Sequence, residues 1–426
     1  MNEVFTTMLS VALVLSGGGG RGAYQIGVWQ ALNDLGIEIA AVYGTSVGAI
    51  NGALIALGDI EFAKSAWLQA TFEDVMNIPE SVRKILERRF FDLTIPEAID
   101  AARRIISEGG IDVSPLRQKI KELLPEEKIR NSKVHYGLVA YSISELKPYM
   151  LYIEDIPEGM LADYILSSAN FPLFKREEIG GKLFIDGGVY SNIPVRMARE
   201  KGYERIVVVD IGTHAVSDIL EYLRSFIDAN ITYIRPREHY GTLLTFDPEV
   251  SRKYLLAGYL DTLAAFGKLY GDNYYIYEPE DVIGKLFMSM DPVQKDIAAF
   301  LLSVKLDPAL SPQEQYYKQI LPRLRLETLA LLEYDPKAIC TRVLEMLALF
   351  FKVERLKIYT SKTLLEEIIK ASSNNSQNFF ESIYYKIRLE RIFRFVSFVY
   401  KNGKKENLVD PSGYDEIVKR FENVLK

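Results

Sequence analysis

Residues 37–57, IEIAAVYGTSVGAINGALIAL, change character at their centre. Ile37 to Tyr43 is a nearly continuous apolar stretch, as a strand buried on both faces requires. Ala49 to Leu57 is a run of small and apolar residues, the composition of a tightly packed helix. Between them Gly44-Thr45-Ser46-Val47-Gly48 matches G-x-S-x-G in the strand–turn–helix setting that a nucleophile elbow needs. Glycines on both sides permit a strained turn and let backbone and substrate come within contact distance of Ser46. The helix that starts just after it turns N–H groups and a partial positive charge toward the reacting centre. The competing reading is a tight structural turn without chemistry.

The same unit precedes it. Val11 to Leu15 reads as a buried parallel strand, Ser16-Gly17-Gly18-Gly19-Gly20-Arg21-Gly22 as a glycine loop, and Tyr24 to Leu35, with Ile26, Trp29, Leu32 and Leu35, as a helix. Gly17, Gly19 and Gly22 satisfy G-x-G-x-x-G, so the loop could cradle a dinucleotide pyrophosphate. Its N–H groups could equally hold an oxyanion during acyl transfer, or the glycines could serve close packing alone. A ribose-binding acid is expected at the end of the next strand. The elbow serine stands there instead, and Glu38 precedes most of that strand, which favours the oxyanion reading.

Further strands are expected at His135–Tyr141, Met150–Ile153, Lys182–Ile185 and Arg205–Ile211, with helices such as Pro115–Leu124 between them. This alternation indicates an α/β domain with a largely parallel sheet and chemistry at the carboxyl ends of its strands. Asp186-Gly187-Gly188 closes one of these strands. By itself an Asp before two glycines is more often a turn former than a base. The histidines are His135, His214 and His239. The order Ser46, Asp186, His214 formally satisfies an α/β-hydrolase triad, although Gly212-Thr213-His214 reads more simply as a surface loop. An Asp alone is a weak base in water, with a reference pKa of about 3.9. Desolvation in a lipid-binding cleft would raise it, and a helix-assisted oxyanion site would ease charge on the serine oxygen.

The bulk properties of the 426 residues bound these readings. Hydrophobic content of 48% and charged content of 25% are globular values. A net charge of -6 argues against global electrostatic binding of nucleic acid. The single cysteine, Cys340, forbids an intrachain disulfide and fits a reducing compartment. One cysteine and three histidines make a His/Cys metal cluster an unfavoured reading. The apolar run Met8–Leu15 is short and is preceded by no Lys or Arg, a poor signal peptide. After about Asp272 glycine becomes scarce and amphipathic windows dominate: Val293–Val304, Pro322–Leu332, Ala338–Phe351 and Phe379–Tyr400. Ala371 to Asn378 reads as an exposed loop. In the last window Tyr385, Leu389, Ile392, Val396 and Val399 share one face, opposite Lys386, Arg388, Arg391 and Arg394. Such a helix can lie on an anionic membrane, but Phe395 and Phe398 interrupt its polar side and favour a domain helix.

Taken together, the glycine loop with Arg21, the Gly-Thr-Ser-Val-Gly elbow and the distant Asp-Gly-Gly resemble the patatin-like phospholipase family. Ser167-Ser168-Ala169-Asn170-Phe171-Pro172-Leu173-Phe174 is similar to the family's segment between elbow and aspartate. The resemblance covers roughly Val11 to Asp272. It implies a three-layer α/β/α domain over residues 9–272; the amphipathic windows beyond the resemblance read as a separate all-helical domain over 273–426. It further implies a Ser46–Asp186 dyad, an oxyanion hole in Gly17–Gly22, and hydrolysis of fatty acyl esters in polar lipids without cofactor or metal. Arg21 is a candidate for holding the loop or a lipid phosphate. The expected partners are a phospholipid or other acyl-ester lipid and a peripheral membrane surface, with no nucleic acid. The expected location is cytoplasmic. A Ser-His-Asp esterase using His214 and a nucleotide-binding module on the glycine loop are the alternatives.

Overall fold

The parallel core of the sheet follows from its apolar strands. β1 (Ser10–Leu15) is buried along nearly its whole length and pairs in parallel with β2 (Glu38–Thr45) on one side and β7 (Ile206–Val209) on the other. β2 pairs in parallel with β3 (His135–Ser142), and β7 with β8 (Ile231–Ile234). Leu15 is opposite both Gly44 and Val209, so the carboxyl ends of three strands finish at one level. The structure, a computed structural model, describes residues 10–77, 110–171, 174, 175, 177–212, 228–374 and 383–425.

Helices cover both faces. α1 (Ala23–Asp34) and α6 (Pro248–Ala265) approach backbone to backbone, because a side chain at Gly27 would strike Leu255 O and one at Gly258 would strike Tyr24 O, each at 2.0 Å. Val42 and Tyr136 lie against Gly52 of α2 (Val47–Leu57). The neighbouring residues Ala41 and Tyr43 face the other way, onto Val195, Met197 and Ala198 of the short helix α5 (Val195–Glu200), as the two-residue period of a strand dictates. The architecture is α/β/α in three layers.

Two strands placed in this sheet by the sequence run antiparallel. β4 (Lys147–Tyr152) is joined to β3 by a short turn, and so short a connection allows only an antiparallel hairpin. β6 (Lys182–Asp186) pairs with β5 (Glu177–Ile179) across Gly180 and Gly181, at φ 58 and 77, the two left-handed residues that a tight hairpin uses. β6 also pairs antiparallel with β3, at Ala140↔Asp186. Since β4 occupies one edge of β3 from Gly137 to Ser142, β2 and β6 share the other. β2 takes positions up to Val139 and β6 begins at Ala140.

The chain divides into two compact units, Met1–Ala265 with Asn423–Lys426, and Phe266–Glu422. The second is helical apart from a two-residue strand pair, and its core gathers Leu286, Phe287, Ile320, Val343, Leu347 and Phe395 among others. Leu389, Ile392, Val396 and Val399, the apolar face read from sequence, are all buried in that core. Helix Ile383–Asn402 is therefore an internal helix, and its apolar face is spent within the unit. The expected Pro322–Leu332 helix ends at Glu327. The expected loop from Ala371 is helical through Asn374, where the Ser372 and Ser373 hydroxyls bond back to Ile369 O instead of breaking the helix; residues 375–378 lie outside the described residues. No helix among the described residues is long and apolar enough to cross a membrane.

Candidate active site

Ser46 stands at φ 58, ψ −128, a conformation that side-chain-bearing residues rarely adopt and that costs about 1–3 kcal/mol. The strain has a local cause. β2 must reverse into α2 within one residue, and a side chain at Gly44 would meet Gly48 O at 2.1 Å while one at Gly48 would meet Leu15 O at 2.4 Å. Both glycines of the pentapeptide are thus required by backbone contact. α2 begins at Val47, directly after the serine.

Asp186 comes to the same place through β3. Thr45 is opposite Val139 and Asp186 is opposite Ala140, so successive residues of one strand carry the elbow and the aspartate. At this seam Ser168, the last residue of α4 (Leu161–Ser168), is fully buried. Its hydroxyl donates to Val139 O (2.6 Å) and accepts from Ser46 N–H (3.0 Å), closing the gap where β2 ends. Asp186 N–H donates to Asn170 O (2.8 Å). The Asp186 carboxyl is 8% exposed and accepts from the Ser46 hydroxyl and from Gly188 N–H (2.7 Å). Burial pushes it up to about 6, against the downward pull of those two hydrogen bonds.

The glycine loop is held from below by a buried polar chain. Gln25 Nε2 donates to Ser16 O (2.7 Å), Asn51 Nδ2 to Gln25 Oε1 (2.8 Å) and Gly22 O (2.9 Å), and Trp67 Nε1 to Asn51 Oδ1 (2.9 Å). From the side, Asn192 Oδ1 accepts from Gly17 N–H (2.9 Å), which ties the loop to the segment following Asp186. Gly20 N–H donates to Leu243 O (2.7 Å), Arg21 N–H to Gly18 O and Gly22 N–H to Gly19 O. The amides of Gly17, Gly20, Arg21 and Gly22 are thus already engaged. Those of Gly18 and Gly19 donate to no acceptor among the described residues, and both glycines line the same cavity as Ser46. Arg21 reaches Ile211 O (3.2 Å) and so anchors the loop to the chain beyond β7.

That cavity, about 440 Å³, is lined by Ser46, Asp186, Gly17–Gly19, Gly188 and Asn192 at one end. Its walls are apolar, with Ile50, Leu54, Trp67, Phe171, Phe174 and Phe246 among them. Lys119, which also lines it, is paired with Asp74 at 3.2 Å. Of the histidines, the two among the described residues take no part here. His135 begins β3, at the opposite end of the sheet, and bonds to the Tyr203 hydroxyl; His239 is exposed and does not line the cavity. His214 lies outside the described residues, as do Pro172 and Leu173 of the segment after α4. Ser168 and Asn192 stood in the sequence only as members of the segments around the aspartate, with no role of their own, and Gln25 and Asn51 were not singled out. Gln25 and Asn51 offered a faint signal, as amides inside otherwise apolar helices.

Residues 13–199 match the family described as patatin-like phospholipase. This stretch is a patatin-like phospholipase domain. Patatin-like phospholipase domain-containing protein 7 of Rattus norvegicus is 27% identical over 224 residues, which cover 50% of this chain and 14% of that protein. Lysophospholipase NTE1 of Saccharomyces cerevisiae is 26% identical over 215 residues, 50% of this chain and 11% of that protein. The match thus spans a small fraction of these relatives' length. Among solved structures, VipD from Legionella pneumophila is similar with a TM-score of 0.36 and 15% identity, covering 94% of this chain and 93% of that one.

Proposed function

We propose that this chain is a serine lipid acyl hydrolase of the phospholipase A or lysophospholipase type, with its catalytic part in residues 9–272. Ser46 attacks the ester carbonyl as Asp186 takes its proton. Gly18 and Gly19 N–H hold the oxyanion, the protonated Asp186 returns its proton to the leaving alcohol, and water activated by Asp186 then hydrolyses the acyl-enzyme on Ser46. The elbow glycines Gly44 and Gly48 hold the turn, Thr45 and Val47 set its entry and exit, and Gly187 and Gly188 let the aspartate loop close against β3. One observation carries the reading: a serine hydroxyl on a strained turn is directed onto a buried carboxyl whose affinity for protons is raised, at the end of an apolar cavity. A base works best when its pKa lies near the operating pH, and a carboxyl near 6 approaches that condition. The apolar walls suit an acyl chain and offer little to a nucleotide. Lipid ester hydrolysis is also in keeping with the patatin-like domain and with a relative named as a lysophospholipase.

The experiment is labelling with a fluorophosphonate probe, mapped by peptide mass spectrometry, together with fatty acid release from phospholipid. Ser46 is expected to carry the label, and Ser46→Ala and Asp186→Asn are expected to release no fatty acid. Full activity in both variants would overturn the dyad. Tight nucleotide binding without labelling would overturn the hydrolase reading itself.

A further inference from the structure

From the last turn of helix Leu321–Glu327 to the start of helix Pro336–Phe350 in the second unit, Leu326, Leu329, Leu331, Leu332 and Tyr334 are all exposed, Leu332 at 91% and Tyr334 at 73%. Single exposed apolar residues are normal on any surface, but a cluster of this density marks an interaction site. Leu329 adds a backbone argument. It stands at φ 57 where the helix ends, with Ala330 N–H closing onto Arg325 O at 3.0 Å, a position that favours glycine. Ser303 and Lys352 hold the same conformation after two other helices, and each places a polar side chain there. Leu329 instead holds a large apolar side chain in water from an unfavourable backbone.

The flank of this lobe is cationic. Arg325 lies over the Tyr334 ring, 4.7 Å from its centroid. Arg388, from helix Ile383–Asn402, donates to the carbonyls of Leu326 (3.0 Å) and Glu327. Arg323, Arg388 and Arg391 all converge on the Glu327 carboxylate, which is nearly fully buried beneath them. Three guanidinium groups over one buried carboxylate leave an outward excess of positive charge. Among the described residues Glu390 is paired with Arg394, whereas Glu333, held by the N–H groups of Tyr334 and Asp335, and Asp335, held by Lys337 N–H, keep their charge; Arg323, Arg325, Arg388 and Arg391 against Glu327, Glu333 and Asp335 leave a margin of one positive charge.

We propose that the Leu326–Tyr334 lobe, with its arginine collar, docks onto a bilayer containing anionic phospholipid. The leucines enter the acyl boundary, Tyr334 sits at headgroup level, and the arginines meet phosphates. This surface is distinct from the apolar face of helix Ile383–Asn402, which is buried in the core. The choice of a bilayer over a protein partner rests on the lipid substrate proposed above.

The test uses the full chain carrying Ser46→Ala, so that no lipid is consumed. It is sedimented with vesicles of phosphatidylcholine alone and of phosphatidylcholine with phosphatidylglycerol. Binding is expected to be ~10-fold stronger to the anionic vesicles and to weaken with salt. It is expected to fall ~10-fold or more in Leu332→Ser/Tyr334→Ser, and likewise in Arg325→Glu. Val293→Ser/Phe300→Ser is the control: an equally exposed apolar pair on helix Pro292–Leu301, beside Asp291 and Asp296, that is expected to bind as before. With Ser46 restored, every variant is expected to keep its activity on a soluble short-chain ester, which verifies folding. The proposal is overturned if anionic vesicles are not preferred, if Leu332→Ser/Tyr334→Ser still binds, or if the control loses as much. A change of oligomeric state in the leucine variant with lipid binding intact would make the lobe a protein interface and overturn it too. Failure of the native chain to hydrolyse lipid would defeat the proposed function and leave these binding results readable on their own.

Discussion

Asp186→Asn is expected to make the first unit more stable while removing its activity. Burial raises the Asp186 carboxyl from 3.8 to about 6 in the folded chain. The folded state therefore binds this proton more tightly than the unfolded state does. Below pH 3.8 both states are protonated and the group is neutral in its effect; as pH climbs to 6 the fold loses stability, and above 6 the loss is complete. A shift of about two units corresponds to a penalty of ~3 kcal/mol at neutral pH. Asparagine has no charge to desolvate, and its Oδ1 can still accept from Gly188 N–H, so the variant is expected to recover ~1–3 kcal/mol at neutral pH and almost none at about pH 4. The assay is thermal or urea unfolding followed by tryptophan fluorescence. The chain has two tryptophans, Trp29 and Trp67, and both belong to the first unit, so the signal reports that unit alone. A variant less stable than the parent at neutral pH, or an advantage that does not shrink on acidification, would refute the buried-charge argument.

Hydrolysis of a soluble ester by the parent chain should rise about tenfold per pH unit below an apparent pKa near 6 and level off above it, since Asp186 acts as base only when deprotonated; a profile flat from about pH 4.5 to 7 would remove it from that role. Ser168→Ala deprives Ser46 N–H of its acceptor, and kcat is expected to fall ~10–100-fold with KM nearly unchanged, measured on the same ester. Gly48→Ala forces a side chain to within 2.4 Å of Leu15 O and is expected to cost more than about 3 kcal/mol, read as loss of soluble protein or of the tryptophan-detected transition. Ser46→Gly, which suits φ 58, is expected to gain ~1 kcal/mol in the same unfolding assay while releasing no fatty acid.

The elbow and the glycine loop were legible because everything that makes them is local: an apolar strand, glycines at fixed offsets and a helix just beyond. The position of Asp186 was not. It depends on β6 joining β3 where β2 stops, a pairing between distant segments that no window of sequence displays. The antiparallel sense of β6 could have been read, since Gly180-Gly181 between two short strands is a hairpin signal. Ser168 and Asn192 are single polar residues whose importance comes only from the atoms opposite them. Helix ends in the second unit were misplaced for a related reason. The leucines at 326, 329 and 332 keep a helical period after the backbone has turned away at Leu329, so hydrophobic spacing extends the helix past its true end at Glu327.

The shared edge of β3 has a consequence for how this chain can vary. The gap between Ser46 and Asp186 is spanned by one peptide step along a neighbouring strand, so it does not depend on the length of the chain that connects them. Segments inserted between α2 and β3, or between β4 and α4, are expected to change the walls of the cavity and to leave the two reacting side chains in register, because Ser168 and Asn170 keep their places at the seam. A single strand acts as a ruler, and the choice of substrate is free to be written in the loops around it.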